Sequence, residues 1–357
     1  MLTNKLIYGN YIMKKHKSLL LILIIAVAIL TFSLSACAKT QPAELTPEKA
    51  AFYKSWMSHL DDNTRIKNVA ILGSHDSGIS TTTSIIKDMT KTQDLTIAEQ
   101  LNYGCRYFDI RVSKNKKGDL TIFHSIDTTG EKFTDIANGL VNFLKENPSE
   151  FLVLDFQHFN NESQLSVIDV INSSGLIDYA IKNKTTMSDL DFADSLTVQD
   201  MRGKAILIWG SNQANDSTYP YLFRRNNDKC TIENAVLDSL YLSEDNKKPS
   251  EKFIEETIPK YFEHIIATEK GLTVLQAQLT AKGLDNLKNL ENSHNENMSK
   301  FIRSIGDNKI YLNAVNIIMR DFIGSDLEKT NSVLYLNVLK NNIKAVSTAL
   351  FSNHTKN

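Results

Sequence analysis

From residue 68 onward the chain is organised by seven short apolar runs: "NVAILGS", "CRYFDIRV", "LTIFHS", "EFLVLDFQ", "KAILIWG", "LTVLQAQL" and "VNIIMRDF". Each is rich in β-branched and aromatic residues and bounded by Gly, Ser, Asn or Asp, the pattern of a strand. Between them lie segments of helical period. "TIAEQLNYG" carries a capping box from Thr96 to Glu99 and a stop at Gly104, "FTDIANGLVNFLKENP" ends at Pro148, and "EKFIEETIPKYFEHIIATEKG" continues the series. Strands that alternate with helices imply parallel βα units, and a chain of 357 residues has the length to close them into one barrel. The expected fold class is therefore α/β, a single TIM-type (β/α) barrel, made irregular by the uneven spacing of the early strands.

Ionisable residues fall at or near the C-terminal ends of these runs. His75 and Asp76, Asp109 and Arg111, His124, Asp155 with Gln157, and Asp321 all do so. In a parallel barrel those ends converge on one face, where active sites are built. Asp109 and Arg111 are two apart and share a face of their strand, opposite Phe108 and Ile110. Alone they could be a structural ion pair. Two histidines added to them suggest phosphoryl chemistry: one imidazole removes a proton, the other supplies one, and the guanidinium holds the phosphate charge. Asp321 is the carboxylate expected to orient the base and stabilise its imidazolium.

The N-terminal segment stands apart from the fold. Lys14, Lys15 and Lys17 precede the apolar run Leu19 to Leu30, and "LSAC" follows, ending at Cys37. A run of twelve falls short of the roughly 20 residues a membrane-spanning helix needs, and the order reads as a signal peptide. "LSAC" resembles the bacterial lipobox, which implies cleavage before Cys37 and lipidation of its thiol. Residues 1–36 are thus expected to be a leader, 37–50 a tether and 51–357 the catalytic barrel, in an extracytoplasmic protein anchored to a membrane surface through Cys37. Either Met1 or Met13 serves as a start. Removal of the leader takes away four Lys and no acid, moving the net charge from −1 to −5. That balance argues against non-specific nucleic-acid binding. Of three cysteines, Cys105 and Cys230 would remain, read as two free thiols because Cys105 lies in a buried strand.

Taken together, "ILGSHDSG", "GCRYFDIRV", "FHS", "PSEFLVLDFQHF" and "IIMRDFIG" resemble the X domain of phosphatidylinositol-specific phospholipases C, the bacterial enzymes in particular, over about residues 53 to 345. The resemblance implies an irregular TIM-type barrel that cleaves phosphatidylinositol or a glycosylated form of it to diacylglycerol and inositol 1,2-cyclic phosphate. It implies that His75 is the general base, His124 the general acid, Arg111 the phosphate-binding residue beside Asp109, and Asp321 the partner of the base, with Asp76 following it. Where calcium-dependent animal members carry an acidic metal ligand, Arg111 supplies a permanent cation, so no metal or other cofactor is expected. Ser125 stands where bacterial members commonly have Gly, and Asp155 or Gln157 stands near a position they fill with Lys. Asp238 and Tyr241 of "LDSLY" match the inositol contacts only approximately. The alternatives are a phosphodiesterase acting on another glycerol phosphodiester and a non-catalytic surface protein that binds inositol phosphate or glycan. The expected partner is the lipid alone, the protein being a monomer.

Remaining candidates have plainer readings. Trp209 in "ILIWGSN" could floor a sugar pocket or serve as a core aromatic. His158, one residue past Gln157, should face away from it and pack. "STYPYLFRR" reads as a loop whose Tyr219, Tyr221 and Phe223 either touch lipid or fold back on the domain. His59, His264 and His294 read as surface residues. With no CxxC, HExxH or Gly-rich nucleotide loop, zinc, P-loop and dinucleotide chemistry have no support.

Overall fold

A computed structural model describes residues 42–226 and 233–341. The leader, Cys37, the first residues of the tether and Cys230 lie outside them. All seven expected runs form strands: β1 (Ile71–Ser74), β2 (Tyr107–Lys114), β3 (Leu120–Ile122), β4 (Leu152–Asn160), β5 (Ala205–Trp209), β8 (Leu272–Gln276) and β9 (Ile317–Arg320). Two further strands were not expected, β6 (Leu222–Arg224) and β7 (Leu237–Asp238). At three and two residues they are too short to show a period of two.

Eight strands run parallel in the order β6-β5-β4-β2-β1-β9-β8-β7. The two ends of that order meet through a single bridge between Arg225 and Leu237. There the Asn226 N–H donates to the Leu237 carbonyl at 2.8 Å, and the Val236 N–H to Arg224 at 2.8 Å. The ring is therefore nearly closed, an α/β barrel, with its seam at the two shortest strands. β3 is not a barrel strand. It pairs antiparallel with β2 as a hairpin, and this is the irregularity seen as uneven spacing.

Two apolar layers alternate along the strands. Ile71, Tyr107, Val153, Ile206, Ile208, Val274, Ile317 and Met319 fill the barrel, while Leu72, Phe108, Leu154, Phe156, Leu207, Trp209 and Ile318 face the surrounding helices. Gly73 is needed for room inside, since a Cβ there would come within 2.7 Å of the Tyr107 ring. Phe223 is fully buried and Tyr221 nearly so, which bears out the folding-back alternative, although Phe223 belongs to the short strand β6 rather than to a loop.

The helices follow their signals. Thr96 and Glu99 form both bonds of the capping box, and the Phe133–Glu146 helix stops at Asn147, before Pro148. The third segment is broken. A turn of π-helix over Phe253–Thr257 precedes the Ile258–Ala267 helix, which carries Pro259 in its first turn where a missing N–H costs nothing. Below the barrel, Arg106 is fully buried. It bonds to Glu150 and to the carbonyls of Tyr53, Lys54, Leu101 and Cys105, tying the first helical turns to the start of β2. Among the described residues no helix is long and apolar enough to cross a membrane.

Candidate active site

β1 ends at Ser74, and the chain turns sharply: the His75 N–H donates to Arg320 at 3.1 Å, and Asp76 takes a left-handed φ of 42°. Such a φ is uncommon outside glycine and recurs where structure serves function. It directs the buried Asp76 carboxylate into the space between three other groups. Asp76 Oδ1 lies 2.8 Å from Arg111 Nε, and Oδ2 lies 3.3 Å from His75 Nε2 and 3.6 Å from His124 Nε2. Arg111 also grips Asp109 through Nη2 at 2.7 Å and Nε at 3.2 Å.

The two histidines are held differently. His75 Nδ1 meets the Asp321 carboxylate at 2.8 Å, whereas His124 Nδ1 meets the Thr90 main-chain carbonyl at 2.7 Å. A carbonyl only accepts, so His124 carries hydrogen on Nδ1 and presents Nε2 to the mouth. The two rings are 6.4 Å apart between centroids, and both Nε2 atoms turn toward Asp76. Burial works to lower the His75 pKa, but the Asp76 and Asp321 charges outweigh it and raise the group to about 9. Burial lifts the Asp321 carboxyl, in part countered by His75. Against its own burial, Asp109 is held below the usual carboxylate range, first by Arg111 and then by His75.

His75, Arg111 and His124 line an open cavity of about 540 Å³ together with Gln157, His158 and Tyr241, while Asp76, Asp109 and Asp321 lie buried behind them. Four of the six expected substrate-binding residues lie outside that lining. Asp109 and Asp155, register partners on β2 and β4, are fully buried beneath the mouth. Asp109 fixes Arg111, while Asp155 accepts from Tyr107 at 2.8 Å and pairs with Arg225 at 3.0 Å. Trp209 is on the outer face of β5, packed on Phe156 and Phe159, because Ile206 and Ile208 take the inward positions. Asp238 points away from the cavity and bonds His264 at 2.7 Å and Asn226 at 2.6 Å. That pairing leaves His264 only half-buried, and His294 is not a surface residue at all. It is fully buried, bonded to Ser250 and to the Ala277 carbonyl.

Two site residues escaped the sequence. His158 was expected to face away from Gln157, yet both line the mouth. A β-bulge opposite Ile110 and Arg111 pairs Arg111 with His158 and leaves Gln157 as the extra residue, which breaks the alternation. Burial and the nearby Arg111 charge lower the His158 pKa. Arg225 lines the same wall just past β6, a strand too short to recognise.

A metal would find donors in His75, Asp76 and Asp109, whose ligand atoms lie within 4.8 Å of one another. The fit is poor, because Arg111 already engages both Asp109 oxygens and Asp76 Oδ1. A divalent ion among them would press against a permanent cation.

The PI-PLC X family model matches residues 63–300. Among curated proteins, 1-phosphatidylinositol phosphodiesterase of Listeria monocytogenes serovar 1/2a is 28% identical over 208 residues, covering 56% of this chain and 62% of that protein. PI-PLC X domain-containing protein 2 of Homo sapiens is 34% identical over 131 residues, 29% of this chain and 43% of that protein. The chain thus spans less than two thirds of either relative. The solved phosphatidylinositol-specific phospholipase C from Listeria monocytogenes superposes with a TM-score of 0.60 at 20% identity, covering 80% of this chain and 98% of that one. A Staphylococcus aureus phosphatidylinositol-specific phospholipase C gives 0.58 at 16%, covering 79% and 98%. At such identities the structures establish the barrel fold.

Proposed function

The chain belongs to the PI-PLC X family, and from that premise we propose that it is a phospholipase C-type phosphodiesterase acting on phosphatidylinositol or a glycosylated form of it. One observation carries the reading: two imidazoles and the Arg111 guanidinium line one cavity, with differently anchored Nδ1 atoms and both Nε2 atoms turned toward Asp76.

In this reading His75 Nε2 takes the proton of the inositol 2-hydroxyl, whose oxygen attacks phosphorus. Asp321 stabilises the imidazolium that forms. Arg111, held by Asp76 and Asp109, meets the charge growing on the non-bridging oxygens. The bond from phosphorus to the glycerol oxygen breaks, and His124 Nε2 protonates that oxygen as it leaves. The products are diacylglycerol and inositol 1,2-cyclic phosphate, and no positioned water is required because the nucleophile is already beside phosphorus. Gln157, His158 and Tyr241 are in place to meet the headgroup. The poor fit of a cation beside Arg111 supports a metal-independent reaction.

The membrane enters at the rim. Ile85, Ile126 and Leu284 are almost fully exposed; Ile126 lines the mouth, and Ile86 and Gly283, which also line it, adjoin the other two. Large aliphatics so displayed suit contact with acyl chains. We propose that lipidated Cys37 holds a monomer at the membrane outside the cytoplasm while this rim meets the lipid surface.

The test is turnover of phosphatidylinositol vesicles by the chain from residue 38 onward, with products read by phosphorus NMR in excess calcium chelator. A five-membered cyclic phosphate formed undiminished by chelator is the expected result. Loss of activity in chelator overturns the metal-independent reading, and no cleavage overturns the substrate. In the same assay Ile85→Asp with Ile126→Asp should cut vesicle cleavage more than tenfold while sparing a soluble short-chain substrate.

The pH profile offers a second check. Asp321→Asn removes one of the two carboxylates that raise His75, so the acid limb of kcat/KM should move to lower pH. Its maximum should also fall. An unmoved limb would separate Asp321 from the base.

A further inference from the structure

We propose that Gln93, assisted by Thr92, is a positioning residue that clamps the base histidine to its carboxylate partner; the proposal rests on the reading of His75 as base. Gln93 is fully buried and touches neither the cavity nor a reacting group. Its side chain joins the ends of two barrel strands. Nε2 donates to the His75 carbonyl at 2.9 Å and to the Arg320 carbonyl at 3.2 Å, while Oε1 accepts from the Ile323 N–H at 2.8 Å. Thr92 adds to it. Its hydroxyl reaches the His75 and Asp76 carbonyls, both at 3.2 Å, and its carbonyl accepts from the Phe322 N–H at 2.7 Å.

The two strand ends need such a clamp. The residue after His75 and the residue after Asp321 both stand in the left-handed region, Asp76 at φ 42° and Phe322 at φ 49°. Neither is glycine, so each conformation costs free energy and persists only where its surroundings over-determine it. Beyond the ends of β1 and β9 the main chain contributes the bond from the His75 N–H to the Arg320 carbonyl, and the side chain of Gln93 with both ends of Thr92 adds to that constraint. What they fix is the relation between the His75 ring and the Asp321 carboxylate, two groups from strands at opposite ends of the sequence. The same short segment reaches the other histidine, since the Thr90 carbonyl accepts from His124 Nδ1. Residues 90–93 therefore reference acid and base to one piece of backbone.

The experiment compares Gln93→Leu and Thr92→Val with the unaltered chain on phosphatidylinositol vesicles, each also in an Asp321→Asn background. Gln93→Leu should lower kcat by about 100-fold, the size of effect an ångström of misplacement produces, with KM little changed. It should also move the acid limb of kcat/KM downward as the His75–Asp321 bond loosens. Thr92→Val keeps the side-chain volume and should lower kcat by about tenfold by the same route, so a Gln93→Leu chain that fails to fold leaves a second probe. In the Asp321→Asn background both losses should shrink toward none, because the pair they serve is already broken. Equal fold losses in both backgrounds, or an unmoved pH limb, overturn the clamp. A separate readout does not depend on turnover: the Nδ1 proton of His75, observed by NMR, should exchange faster in either variant. If His75→Ala keeps full turnover while that proton responds as described, the enzymatic reading fails and the clamp stands as structure only.

Discussion

His75→Ala should lower turnover of phosphatidylinositol by about a thousandfold or more, near the upper end of what a positioned acid–base group supplies. His124→Ala should cost a similar factor, and the double variant little more than either alone, because in the proposed reaction proton removal and proton delivery serve one displacement. The two losses should differ in kind. With a substrate whose leaving group needs no protonation, His124→Ala should recover much of its rate and His75→Ala should not. Far-UV circular dichroism should be unchanged, since both rings sit at the rim of the barrel and contribute no packing to its two apolar layers. A His75→Ala chain with undiminished turnover would remove the assignment altogether.

The largest effect on stability is expected far from the mouth. Arg106→Met should cost about 3–5 kcal/mol in urea denaturation, the range for breaking a buried pair by removing one partner. It leaves the Glu150 carboxylate fully buried without its cation, and it orphans the carbonyls of Tyr53, Lys54, Leu101 and Cys105. The pH dependence follows from the sign of the Glu150 shift. Burial raises its pKa even with Arg106 beside it, so without Arg106 the folded pKa stands higher still above the unfolded value. The destabilisation should then be smallest below the unfolded pKa, where both states hold the proton. It should grow as pH rises toward the folded pKa. Adding Glu150→Gln should recover part of the loss and flatten that dependence.

The two variants bracket how much of this protein can be read from its residues. His75, Arg111, His124 and Asp321 stand out in sequence because a charged or imidazole side chain at the end of an apolar run has no place in a packed core, and so marks a mouth. Asp76 is equally visible, but its position at the centre of the site depends on a left-handed turn that its residue type does not announce. Asp155 and Trp209 show the limit from the other side. Both lie on strands correctly recognised, and both fall outside the cavity, one a layer too deep and the other on the outer face. His158 fails for a third reason, since one bulged residue reverses every inference drawn from alternation.

By itself the sequence determined the α/β class, seven of the nine strands among the described residues, the helix boundaries that have caps or a proline, and the groups proposed to move a proton or hold a phosphate. These follow from local physics: a periodic pattern, a capping bond, a side chain too polar to bury unpaired. Only the tertiary structure decided which strands close the ring, which anchor each imidazole has, and that Gln93 and Arg225 belong to the site or its frame. Each of those depends on contacts between residues far apart in the chain. The bond between His75 and Asp321 joins positions separated by 246 residues, and no local rule encodes a distance that only a closed barrel sets.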